Sequence, residues 1–169
     1  MNSQDHPERP ANAPQLFAFE QPSCEDFTYI PLSVRFHLDR GGWRLSLAQW
    51  QALPYSDRVA LAAHPVPDAE ADSSAPSSAF ETFLATLAAR DLREPVERVP
   101  PLQPMPGDAS DVVPDTVQAQ CGFAGAAPLS VAQWSALSRF QRYALAKLAR
   151  KPKPNHDFVP ALREFGLAS

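Results

Sequence analysis

Two arginines and two tryptophans return in matching slots of this chain, and their side chains are the first candidates for chemistry. Trp50 and Arg58 sit in and after Leu45-Ser46-Leu47-Ala48-Gln49-Trp50-Gln51-Ala52-Leu53. Trp134 and Arg142 follow at a constant offset of 84 positions, in and after Leu129-Ser130-Val131-Ala132-Gln133-Trp134-Ser135-Ala136-Leu137. A guanidinium kept at equal positions can anchor a carboxylate or a partner's backbone through its planar fork of donors. It can equally pair inside the protein and lay its stem over the facing indole. Farther on, Arg139, Arg142 and Arg150 share one helical face, with Lys151 and Lys153 just beyond. No acidic residue lies between Arg139 and Lys153, whereas Asp68 to Asp115 holds ten acids against three arginines. Such a basic surface suits an acidic partner, a solvated helix end, or internal contact with the acidic middle. Arg35, and Trp43 beside Gly41-Gly42, complete the expected partner-contact set of Arg35, Trp43, Arg58, Arg139, Arg142 and Arg150.

Nothing comparable points to catalysis. His6, His37, His64 and His156 and the two cysteines, Cys24 and Cys121, show no metal-ligand spacing. Cys24 stands beside Glu25-Asp26, with no cation to stabilise a thiolate. Cys121 occupies the slot that Leu38 fills earlier, so it reads as a small core residue. Gly-rich phosphate loops, paired-histidine zinc motifs and serine nucleophile elbows are all missing from the sequence. No catalytic residue, cofactor or metal is therefore expected.

The elements that must position these residues are short. Nineteen prolines against six glycines in 169 residues imply brief helices and stiff connections. The net charge of −4 argues against a nucleic-acid binder. No apolar run is long enough to span a bilayer, and no basic segment followed by an apolar core opens the chain. A soluble cytoplasmic protein is expected, with its oligomeric state left open. Ile30 to Arg40 is ambiguous: Leu32, Val34, Phe36 and Leu38 alternate like a strand, while Ile30, Val34 and Leu38 keep helical spacing. The later stretch Pro114 to Cys121, matched at an offset of 83, does not alternate, which favours a helix started by proline and stopped by glycine in both. Ser46 and Ser130 are placed as N-caps, with Leu45 and Trp50, or Leu129 and Trp134, as hydrophobic staples. Staple positions favour core tryptophans over exposed ones. Further helices begin after Pro54 and Ser138, and closing helices at Ser78 and Asn155, while Leu16 to Glu20 reads as an extended aromatic segment.

The expected fold is all-α, with two tandem repeats of a three- to four-helix unit packed into one helical domain. Residues 1–14 form a disordered arm, 15–93 the first repeat, 94–112 a proline-rich linker and 113–169 the second repeat. His64 to Ser78 reads as a loop inside the first repeat.

Ile30-Pro31-Leu32-Ser33-Val34-Arg35-Phe36-His37-Leu38-Asp39, the Leu45 to Arg58 block, the Trp134 to Leu148 block and the closing run Phe158 to Gly166 together resemble the nitrate-reductase-associated protein family. The resemblance implies a non-catalytic accessory that assists maturation or activity of assimilatory nitrate reductase, a molybdenum- and iron–sulfur-dependent enzyme, through protein–protein contact. The family pattern carries cysteine just before the Ile-Pro pair and near the glycine turn, where this chain has Tyr29 and Gly41. That departure weighs against any thiol or cluster-handling role. The alternative is a general helical adaptor with no direct role on the reductase.

Overall fold

The computed structural model describes residues 13–67 and 78–169, so His6, most of the 1–14 arm and the middle of the 64–78 loop lie outside the described residues. Leu16 to Glu20 is not extended throughout. A 3-10 turn at Ala18–Glu20 leads into α1 (Gln21–Cys24), because Pro22 suits a first helical turn and Glu20 Oε2 accepts from Phe17 N at 3.0 Å. Next comes α2 (Leu32–Gly41), whose N-cap Pro31 offers no side-chain acceptor. Glu20 supplies one instead, its Oε1 accepting from Leu32 N at 2.7 Å. Burial outweighs these bonds and raises the Glu20 carboxyl pKa.

The strand-like alternation in α2 has a specific cause. Val34 and Leu38 pack into one apolar cluster with Trp50, Leu61, Phe80 and Leu84, while Leu32 and Phe36 pack into another with Met105, Phe140 and Tyr143. A helix buried on two sides loses the single apolar stripe by which helices are recognised. Gly42, at φ 74, then ends it in the left-handed conformation that glycine adopts without penalty.

Strand β1 (Trp43–Arg44), helix α3 (Leu47–Ala52), helix α4 (Tyr55–Ala62) and helix α5 (Ser78–Asp91) follow. α5 begins at Ser78 as expected, and the Ser78 side chain lies outside the described residues. β2 (Glu97–Arg98) pairs antiparallel with β1, placing Trp43 opposite Arg98 and Arg44 opposite Glu97. This ladder was not expected, yet two residues per strand leave the fold all-α. The remaining helices are α6 (Asp115–Phe123), α7 (Val131–Ala136), α8 (Arg139–Leu148) and α9 (Phe158–Glu164). α6 runs through Gly122 rather than stopping there, and Gly125, at φ 66, stands in the turn beyond. Asn155 does not cap α9: its Oδ1 accepts from Asp157 N at 2.9 Å, and Asp157 holds the N-cap position.

Local geometry repeats closely at α3 and α7. Ser46 Oγ and Ser130 Oγ each accept from the glutamine amide three residues on at 3.1 Å, and the same glutamines bond back to the serine amides. Trp50 and Trp134 are both fully buried, in separate clusters. The third cluster, between α2 and α8, joins the two halves. Residues 94–112 are part of this packing: Val96 and Met105 are core residues, Val99 N donates to Gly42 O at 2.9 Å, and Leu102 N donates to Asp39 O at 3.0 Å.

Candidate partner-binding site

The arginines expected to face a partner divide into two groups. Arg58 Nη1 donates to Phe27 O at 2.7 Å, the acceptor that Trp50 Nε1 also reaches at 2.7 Å. In the other half Trp134 Nε1 donates to Ala109 O at 2.8 Å. Arg142 donates to Gly107 O at 2.8 Å and to Leu137 O at 2.6 Å. Arg139 is nearly sealed, its side chain 3% exposed and paired with Asp108 at 2.8 Å. The expected Arg face is therefore split: Arg139 and Arg142 hold residues 107–109 against α8, while Arg150 stands beyond the end of the helix at Leu148 and is exposed.

Arg35, from α2, is exposed and comes to the same region as Arg150, with its Nε donating to Ile30 O at 3.2 Å. Together they border two adjoining clefts along the α2–α8 seam. The first, of about 420 Å³, is lined by Leu32, Arg35, Lys147, Arg150, Lys151 and Lys153, among others. The second, of about 620 Å³, adds Trp43, Arg44, Leu45, Pro100, Leu102 and Pro106 while sharing Arg35, Lys147 and Arg150.

A carboxylate sits in the seam. Asp39 accepts from Tyr143 Oη at 2.7 Å and from Lys147 Nζ at 2.8 Å. Burial, followed by the nearby Asp39 charge, raises the Tyr143 phenol well above its usual pKa, while Arg35 and Arg150 act in the opposite sense. Asp39 is thus already matched by Lys147, and among the described residues the side chains of Arg150, Lys151 and Lys153 have no acidic partner.

Buried Gln120 positions the cationic loop. Its Nε2 donates to Lys151 O at 3.1 Å and Lys153 O at 2.6 Å, and its Oε1 accepts from Asn155 N at 3.2 Å. Trp43 is half-buried with the Arg98 guanidinium 3.7 Å over its ring. Sequence reasoning missed Lys147, the role of Gln120 and His156, which also lines the first cleft. Lys147 was legible in principle, in the last turn of α8 and three residues before Arg150; the approach of Arg35 and Gln120 from elsewhere was not.

The profile of a family described as conserved nitrate reductase-associated protein matches residues 16–165. The chain belongs to that family. No curated protein and no solved structure matches it. Family membership associates the chain with nitrate reductase by description. Among the described residues, no three His, Cys, Asp or Glu side chains are grouped to hold a metal, and no helix is long and apolar enough to cross a membrane. Cys24 and Cys121 are free and buried; burial pushes the Cys24 thiol up to about 12 and raises that of Cys121.

Proposed function

We propose that this protein is a non-catalytic accessory of assimilatory, molybdenum-dependent nitrate reductase, assisting its maturation or activity through protein–protein contact at the α2–α8 seam. The observation that carries the reading is the family match across residues 16–165. Support for the location comes from Arg35, Trp43 and Arg150, the members of the expected contact set that line the clefts. Arg58, Arg139 and Arg142 serve this reading indirectly, by holding the scaffold on which the seam is built.

The test is co-purification with nitrate reductase from nitrate-grown cells, followed by size-exclusion of the two purified components. Association is expected with the unaltered chain and is expected to weaken in the Arg150→Glu, Lys153→Glu double variant. If the unaltered protein never co-elutes with the reductase, and deletion leaves reductase activity unchanged, the proposal fails.

A further inference from the structure

The two clefts at the α2–α8 seam share Arg35, Lys147 and Arg150, and the second adds an apolar wall to these cations; together they specify an occupant. We propose that the groove receives an extended peptide segment of the partner in which acidic residues adjoin an apolar anchor; this rests on the partner-contact reading above.

The first cleft is bordered by Arg35, Arg150, Lys151 and Lys153, while its neighbouring carboxylate, Asp39, is matched by Lys147. Like charges brought to one concave surface repel one another, and an occupant carrying several negative charges relieves that repulsion. A single monovalent anion leaves most of it in place.

The second cleft has cations too, Arg35, Arg44, Lys147 and Arg150, with Asp39 among them, and sets apolar side chains beside them. Trp43, Leu45, Pro100, Leu102 and Pro106 give it an apolar wall, with Leu102 42% exposed. That wall is already fixed, because Leu102 N is bonded to Asp39 O and Val99 N to Gly42 O. A preformed apolar surface takes a side chain with little ordering cost. Arg35, Lys147 and Arg150 border both clefts, so one occupant spans the two, its acidic residues on the cations and its anchor on the apolar wall. A free phosphate or pyrophosphate has no group for the second half; a peptide has both.

The test uses the full chain and a fluorescein-labelled Glu-Glu-Glu-Glu-Leu-Leu peptide, read by anisotropy. Trp43 lines the groove while Trp50 and Trp134 are sealed in the core, so quenching of indole fluorescence that disappears in Trp43→Phe reports the same event. Binding is expected to weaken with added salt and to fall about tenfold or more in Arg150→Glu, Lys153→Glu, the change expected when several exposed attractions become repulsions. Leu102→Ser, which removes the apolar side chain without adding charge, should weaken the same peptide and leave a Glu-Glu-Glu-Glu-Ser-Ser peptide unaffected. Both variants alter exposed side chains, and unchanged thermal unfolding would establish that they fold.

Equal binding of the Leu-Leu and Ser-Ser peptides, together with displacement by pyrophosphate, would overturn the proposal in favour of a small-anion site. Absence of peptide binding, with reductase association still lost in the charge-reversed variant, would overturn it while leaving the partner contact standing. Peptide binding with the expected variant effects but no reductase association would support the groove's specificity and remove the reductase as its partner.

Discussion

Trp50 and Arg58 donate to one oxygen: indole Nε1 and guanidinium Nη1 each lie 2.7 Å from the carbonyl of Phe27. Phe27 has φ 50, a left-handed backbone that a bulky residue rarely adopts, and the doubly bonded carbonyl holds it there. In the C-terminal half the same two slots reach neighbouring carbonyls, Ala109 for Trp134 and Gly107 for Arg142. Persistence of an arginine at equal positions here reflects how the chain is pinned ahead of α2 and α6.

Removing one donor leaves Phe27 O with the other, so the two losses should not add. Arg58→Met is expected to cost about 1–3 kcal/mol, the range for a hydrogen bond from a charged donor. Trp50→Phe loses the indole bond and some volume. The double variant should be less stable than the sum of the single effects by about 0.5 kcal/mol or more, as residues sharing one partner are coupled. Urea unfolding of the four proteins measures this, and strict additivity would mean that the shared oxygen does not couple them.

Gly107 should be the most sensitive position in the connection between the two halves. It has φ +80, and an added Cβ would lie 2.5 Å from the Arg142 carbonyl carbon in α8. Gly107→Ala is expected to destabilise by roughly 1–3 kcal/mol through backbone strain and overpacking. An effect near zero in urea unfolding would show residues 94–112 to be a loose tether.

Acid should weaken the protein through His37. The ring is 3% exposed, stacked 4.7 Å from Phe80, with Nε2 3.3 Å from His64 O and Nδ1 buried without a partner. Burial lowers its pKa from 6.5 to about 4, and the facing His64 and Arg40 act in the same direction. The unfolded chain takes up this proton first. Stability is therefore complete above about 6.5 and declines as pH falls through about 4, by on the order of 3 kcal/mol in total. Glu20 works oppositely: its raised pKa means that the unfolded chain loses that proton first as pH rises above 4.5. His37→Gln should flatten the acid side of a stability-against-pH curve measured by urea unfolding; an unchanged slope would assign that limb to other groups.

Neither thiol should react in the folded protein. Cys24 is 4% exposed with its pKa pushed up to about 12, and Cys121 is fully buried. Modification by a thiol-specific reagent at mildly alkaline pH is expected to be slow for both and to become fast and complete in denaturant, since the thiolate is the reactive form. Rapid labelling of the native chain, followed by mass spectrometry, would contradict the burial described for them.

What the sequence determined on its own is what nearest neighbours along the chain settle. Ser46 and Ser130 meet glutamines three residues on, Leu45 and Leu129 stand at staple distance from Trp50 and Trp134, and prolines 31, 54 and 114 mark the starts of α2, α4 and α6. These arrangements depend on bonds within a single turn, so spacing suffices to read them. The tertiary structure decided which cations are engaged and which are available. Arg139 and Arg142 look the same as Arg150 in the sequence, yet Asp108 and Gly107 come to the first two from another part of the chain, while Arg150 meets Arg35 across the α2–α8 seam. The α2 pattern was obscured for the same reason, since Leu32 and Phe36 are apolar toward a helix formed a hundred residues later. A side chain's surroundings are set by whatever the folded chain brings within a few ångströms, and spacing along the sequence carries no record of that.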